Sequence, residues 1–299
     1  MKPIIETEGL TKHYGRLVAL EDLTIQVEAG EVLGFLGSNG AGKTTTIRLL
    51  LDLIRPTRGR ARIGGFDCRT ESLKARALVG YLPGEMPVYP ELTGSEYLDY
   101  LASLSGGVAD PAIVERLLHR FDVGPADLKR RLRDFSHGMK RKLGIVQALM
   151  GRPAVVILDE PTSGLDPLMI EAFCETIDEL KRDGRTTVFL SSHVLSEVER
   201  TCGRVVLIRR GRLAAVKAMG EIGAAFPRRV TVTFSGPVSR DAPTGPTILL
   251  VAKEDRRWVF DVVGELGPLV AVLVGLPIAD LEVERFSLED YVLRLYARP

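Results

Sequence analysis

The sequence predicts an α/β protein, and three observations predict it. The stretch Gly37-Ser38-Asn39-Gly40-Ala41-Gly42-Lys43-Thr44 fits the phosphate-loop pattern G-x-x-x-x-G-K-[ST], between an apolar run (Val32 to Leu36) and a helical pattern through Ile47, Leu50, Leu51 and Ile54. The run Val155-Val156-Ile157-Leu158 is continuously apolar, as in a strand covered on both faces, and ends in Asp159-Glu160. Strand-like and helix-like segments alternate along most of the chain, as a layered α/β core requires.

The elements follow in order. Ile4–Leu10 and Leu23–Val27 read as strands ahead of Val32–Leu36, and Arg60–Ile63 and Val79–Leu82 as two more. From Thr93 to about Phe121 the period turns helical: Leu98, Leu101 and Leu104 share one face, and Ile113, Leu117, Leu118 and Phe121 another, with Gly106-Gly107 between the two helices. A helix runs from Met139 to Met150, the strand Val155–Leu158 follows, and a helix spans Pro167 to about Lys181. Strands Thr186–Leu190, Val205–Ile208 and Arg212–Ala214 complete this part. Composition shifts near Met219-Gly220, and Ala224–Pro227 reads as a connector. Beyond it, strands at Val230–Phe234, Ile248–Ala252, Trp258–Val263 and Asp280–Phe286 and helices at Glu265–Val274 and Leu288–Arg298 predict a small α+β domain.

Bulk properties narrow the function. A chain of 299 residues holds one large or two ordinary domains, and its 45% hydrophobic and 26% charged content is that of a globular protein. A formal charge of +1 gives no global field toward nucleic acid, so no nucleic-acid partner is expected. The basic cluster Lys129, Arg130, Arg131, Arg133, Lys140, Arg141 and Lys142 is local; a solvated helix face explains it as well as a role near phosphates or lipid headgroups. Cys68, Cys174 and Cys202 are widely separated, which argues against a disulfide framework or zinc site and suits a reducing cytosol. The start, Met1 to Glu6, lacks a signal-peptide core, and the longest apolar run, Leu269 to Leu276, is too short to span a bilayer. Any membrane work is therefore expected to pass through a partner.

The chemistry concentrates at strand ends. Glycines let the loop curl so that successive N–H groups face anionic oxygens, and the following helix adds its positive end. Lys43 is then expected to reach the β- and γ-phosphates and Thr44 to hold Mg²⁺ through its hydroxyl. Asp159 is placed to bind Mg²⁺, directly or through water, and Glu160 to act as general base on the attacking water. Ser136 is a good N-cap at Phe135-Ser136-His137-Gly138-Met139-Lys140, and Gly138 leaves backbone N–H groups open, a second anion site on a different helix. Two such helix starts serve one nucleotide only if something brings them together, which hints at a nucleotide sandwiched between two protomers. His193, just past the strand Thr186–Leu190, can point into the ligand crevice; a lone histidine is more often structural, so the case for a role rests on the company it keeps. The Tyr14 ring fits either adenine stacking or a partly buried core position.

Taken in order, these segments resemble the ATP-binding cassette (ABC) ATPases from about Ile4 to Leu213. Gly37–Thr44 resembles Walker A, Val155–Glu160 Walker B with its catalytic glutamate, Ser163-Gly164-Leu165-Asp166 the D-loop, His193 the switch histidine, and Phe135–Met139 the signature. Two departures stand out. His137 and Met139 replace a glycine and a glutamine of the signature, while Ser136 and Gly138 are kept. Gly84, in Gly80-Tyr81-Leu82-Pro83-Gly84-Glu85, replaces the Q-loop glutamine, which puts the Mg²⁺ and water contacts of that loop in question. The segments at Tyr81–Glu85 and Phe135–Lys140 resemble ATPase subunits of ABC-2-type exporters, the drug and antibiotic resistance branch, and Ser287–Tyr291 resembles the end of their accessory domain.

The resemblance implies a P-loop cassette core with an antiparallel β subdomain and a helical subdomain at about 85–150, together spanning 1–220, and an accessory α+β domain at 221–299. It implies ATP held by Tyr14, Gly37, Ser38, Asn39, Gly40, Ala41, Gly42, Lys43, Thr44, Thr45, Ser136 and Gly138, Mg²⁺ held by Thr44 and Asp159, and catalysis by Glu160 and His193. It further implies a homodimer, a separate membrane-spanning transporter subunit, and a cytoplasmic place at the inner face of the cell membrane. Two other readings are a soluble mechanochemical ATPase acting on ribosomes or DNA, opposed by the single phosphate loop and the lack of a long heptad tract, and a weakly hydrolysing regulatory module, favoured only by Gly84.

Overall fold

The computed structural model of the chain describes residues 3–86, 89–104, 109–224, 227–238, 240–284 and 287–297. The sequence-predicted separator Gly106-Gly107, the connector residues Ala225 and Phe226, Phe286 and Arg298 lie outside them. The chain divides into two compact units, Met1–Val216 and Lys217–Pro299.

The first unit contains strands β1 (Pro3–Tyr14), β2 (Leu17–Glu28), β3 (Val32–Leu36), β4 (Arg58–Ile63), β5 (Phe66–Asp67), β6 (Val79–Leu82), β7 (Val155–Asp159), β8 (Thr187–Ser192), β9 (Arg204–Arg209) and β10 (Arg212–Ala218). Its helices are α1 (Lys43–Leu50), α2 (Ser72–Ala77), α3 (Gly94–Leu104), α4 (Pro111–Arg120), α5 (Pro125–Leu128), α6 (His137–Leu149), α7 (Pro167–Asp183) and α8 (Leu195–Thr201). One sheet is antiparallel, in the order β2-β1-β4-β5. The other has the order β10-β9-β3-β8-β7-β6, and its ladders from β9 through β6 are parallel. Helices α3 to α6 lie between β6 and β7 in sequence and form the helical part.

Burial explains the parallel sheet. Every residue of β3, β7 and β8 is buried, the pattern of strands covered on both faces. Phe35 and Phe189 stack across adjacent strands with ring centroids 5.0 Å apart. Each buried Val, Leu or Ile contributes roughly 1.5–3 kcal/mol, so these strands form a rigid platform. Registry then puts the functional segments on one edge: Leu36 pairs with Ser192, Leu82 with Leu158 and Asp159 with Ser191. The phosphate loop, Gly84, Glu160 and His193 all leave the sheet at its carboxyl edge, where ligands of open α/β sheets bind.

The second unit holds α9 (Met219–Ala224), β11 (Arg228–Phe234), β12 (Ile248–Glu254), β13 (Arg257–Val262), α10 (Gly267–Leu273), β14 (Ile278–Glu284) and α11 (Leu288–Ala297). Its sheet, β12-β13-β11-β14, is antiparallel. Trp258, Phe260, Phe234, Val230 and Val232 alternate onto one face and pack with Leu269 and Leu273 of α10.

Candidate functional site

The phosphate loop is shaped by two glycines that no other residue replaces. A Cβ on Gly37 would lie 2.6 Å from the Ile208 carbonyl oxygen, so β3 and β9 approach too closely for a side chain. Gly42 has φ +111°, a backbone that L-residues rarely adopt, and a Cβ there would meet the Ala19 carbonyl oxygen at 2.7 Å. Gly42 caps α1 with no side-chain hydrogen bond, so the first N–H groups of the helix are uncapped. Ser38, Asn39, Gly40 and Thr44 are exposed, Thr45 is half-buried, and Ala41 is buried beneath them.

The charged groups converge on this loop. Lys43 Nζ donates to the Gly37 carbonyl at 2.7 Å and lies 3.3 Å from Glu160 Oε1. Glu160 Oε2 is 2.5 Å from His193 Nδ1. Thr44 Oγ1 donates to Asp159 Oδ2 at 3.0 Å, while Asp159 Oδ1 is buried without a hydrogen-bond partner. A threonine hydroxyl beside a carboxylate with one free buried oxygen fits a small hard cation, which takes one or two carboxylates and shares phosphate oxygens. Among the described residues no cluster of three or more His, Cys, Asp or Glu could hold a metal by itself.

Tyr14 resolves in favour of an accessible ring. It ends β1, opposite Leu17, is 46% exposed, and has Lys12 Nζ 4.9 Å from its centroid. The same hairpin carries Ala19, whose carbonyl approaches Gly42.

Ser136 and Gly138 open α6. Ser136 caps α6, its Oγ accepting the Met139 N–H at 3.1 Å. Among the described residues, no hydrogen bond or ion pair joins either of them to the Gly37–Thr45 loop. The D-loop segment runs into α7, where Asp166 accepts the Met169 N–H at 3.0 Å as N-cap.

Of the two readings of the basic cluster, a solvated face does not hold for Arg141. The basic cluster is not one solvated face: Arg131 and Arg133 reach Glu91, and Arg130 reaches Asp127, but Arg141 is 1% exposed. Its guanidinium donates to backbone carbonyls of Pro83, Gly84 and Glu160. Burial pushes its pKa below the ordinary arginine range, against the opposing pull of Asp159 and Glu160. Periodicity held the only signal for it, because Arg141 falls on the same face of α6 as Ile145 and Ala148, both buried. Glu160 itself has φ +52°, uncommon for a residue with a side chain.

Loop, lysine, paired carboxylates and histidine on a parallel sheet define a phosphate-loop ATPase. The family described as ABC transporter matches residues 20–163. A bacitracin transport ATP-binding protein of Bacillus licheniformis is 40% identical over 71% of this chain and 69% of its own length. An uncharacterised ABC transporter ATP-binding protein of Synechocystis is 35% identical over 97% of this chain and 84% of its own, so that likeness extends through the second unit. Among solved structures, an ATP-binding subunit of an ABC transporter superposes with a TM-score of 0.67 at 35% identity, covering 73% of this chain and 91% of that one. The chain belongs to the ABC transporter ATP-binding proteins, and it is an ATPase subunit of that family.

Proposed function

We propose that this chain is the ATP-hydrolysing subunit of an ABC-2-type exporter, working as a homodimer beneath a separate membrane-spanning partner. Support for the exporter branch comes from relatives named for bacitracin transport, in Enterococcus faecalis and Bacillus licheniformis, and for linearmycin resistance in Bacillus subtilis. No helix among the described residues is long and apolar enough to cross a membrane, so transport would be carried by the partner, with this subunit at the cytoplasmic face. The second unit is proposed as an accessory domain.

The observation that carries the reading is Glu160 held between Lys43 and His193 above the loop, with no hydrogen bond among the described residues tying Ser136 to that loop. The loop N–H groups from Gly37 to Thr45 would receive the phosphates, and the exposed Tyr14 ring would stack on adenine. Thr44 and Asp159 would hold Mg²⁺, which supplies charge neutralisation on the phosphates. Lys43 would turn from Glu160 to the β- and γ-phosphates, freeing Oε1 of Glu160 to take a proton from water. His193 orients that carboxylate. Ser136 and Gly138 would close the site from the opposite protomer, where charge-assisted hydrogen bonds are strongest.

The test is Glu160→Gln. Turnover is expected to fall at least about 100-fold, roughly 2.7 kcal/mol in barrier, while nucleotide binding persists and an ATP-stabilised dimer accumulates in sedimentation. Near-normal phosphate release removes Glu160 from the role of base.

A further inference from the structure

Arg141 touches three parts of the site at once. It lies in α6, on the helix that Ser136 caps. Its Nη1 donates to Pro83 O at 2.6 Å, and its Nη2 to Gly84 O at 2.9 Å and Glu160 O at 2.6 Å. The signature helix, the loop after β6 and the end of β7 thus meet on one guanidinium. Its hydrogen bonds all go to backbone carbonyls, and among the described residues no carboxylate forms an ion pair with it. A buried cation is expensive unless its hydrogen bonds are made, so a residue kept here for packing alone is better served by an apolar side chain.

The backbone at Glu160 supplies the reason. Its φ of +52° is left-handed, and such a conformation in a residue with a side chain persists only where its surroundings fix it. The Glu160 N–H donates to Ser191 O at 2.9 Å, and the Glu160 C=O accepts from Arg141. Arg141 therefore pins one of the two peptide groups that flank the carboxylate. Gly84 adds a second reason. A Cβ at that position would lie 3.3 Å from Asp159 Oδ2, so a side chain there would face the Asp159 carboxylate. With glycine in place, the loop is tied to the site by its own carbonyl through Arg141.

We propose that Arg141 is a positioning residue for ATP hydrolysis: it holds Glu160 in its left-handed conformation between Lys43 and His193 and links it to the helix whose first turn bears Ser136. Motion of α6 on dimer closure then reaches Glu160 through a rigid planar fork. This rests on the ATP-site reading above.

The experiment uses the full chain with Arg141→Ala and Arg141→Lys, assayed for turnover, fluorescent-nucleotide affinity and melting temperature, with guanidinium ion added well below denaturing concentration and urea as the neutral isostere. Arg141→Ala is expected to lose about 30-fold in kcat, about 2 kcal/mol, with nucleotide affinity within about twofold. Guanidinium, and not urea, is expected to restore several-fold of the lost rate. Arg141→Lys, which keeps charge but not the fork, is expected to stay several-fold below wild type at an unchanged melting temperature. A normal kcat in a folded Arg141→Lys chain overturns the proposal, as does a loss in Arg141→Ala that guanidinium leaves untouched. Failure of the site reading itself would look different: Lys43→Ala would still bind nucleotide, or Glu160→Gln would still turn over.

Discussion

The helix starts at α1 and α6 differ in one respect that assigns each its task. At α1 the cap is Gly42, with φ 111° and no side-chain hydrogen bond, so the first-turn N–H groups lack an internal partner. At α6 the cap is Ser136 in an extended conformation, its oxygen already accepting the Met139 N–H. A site with open N–H groups and a lysine beside them binds phosphate by itself. A site whose serine is already an acceptor keeps one O–H to donate, and so adds to an anion bound elsewhere. On the proposed function, one start would bind the nucleotide and the other would complete its site.

Breaking the first start has the larger effect. Lys43→Ala is expected to abolish measurable nucleotide binding and to reduce kcat/KM by at least about 100-fold, roughly 2.7 kcal/mol; fluorescent-nucleotide titration and phosphate release check it. Breaking the second separates binding from completion. Ser136→Ala is expected to leave monomer affinity within about twofold while turnover and ATP-dependent dimerisation fall at least tenfold, about 1.4 kcal/mol. The same substitution removes an N-cap and lowers stability by about 1 kcal/mol, read by denaturant melts.

A smaller effect lies behind the D-loop. Glu197 is buried, accepts the Thr162 hydroxyl at 2.7 Å, and has its pKa raised, chiefly by burial and then by Glu160. A raised folded pKa means the folded state binds the proton more tightly than the unfolded chain. This contribution is thus full below the unfolded value of about 4.5 and is lost as pH climbs through the folded value. Glu197→Gln is expected to stabilise the fold by on the order of 1 kcal/mol at pH 8, with the gain vanishing near pH 4, in paired melts. A gain that grew toward acid pH would reverse the sign.

Much of this was legible in sequence because it is local. Val32–Leu36 and Val79–Leu82 are strands at the predicted residues, since continuous apolar runs bounded by glycine or proline have few other uses. The apolar pattern after Lys43 runs to Ile54, but α1 stops at Leu50 and Asp52 takes φ +57°, a left-handed turn that periodicity does not encode. Helices α2 and α8 leave little trace in the sequence because they are only six and seven residues long and begin without a side-chain cap. Lys43, Thr44, Asp159, Glu160 and His193 were readable as types at strand ends, and the sheet registry brings them together. Arg141 was not, because its partners at Pro83 and Glu160 lie 58 and 19 residues away and a basic residue in a basic run looks solvated.

The central claim is that α1 of one chain and α6 of another close on one nucleotide. The most direct measurement mixes a Ser38→Cys chain with a Ser136→Cys chain and asks for a disulfide between them. Cys68, Cys174 and Cys202 are buried, and burial pushes their thiols up to about 12, about 11 and about 12, so they stay out of the chemistry. The account predicts a cross-linked pair of the two variants with ATP in a Glu160→Gln background and little without it. No cross-link between chains under any nucleotide, with the protein monomeric in scattering, would contradict it.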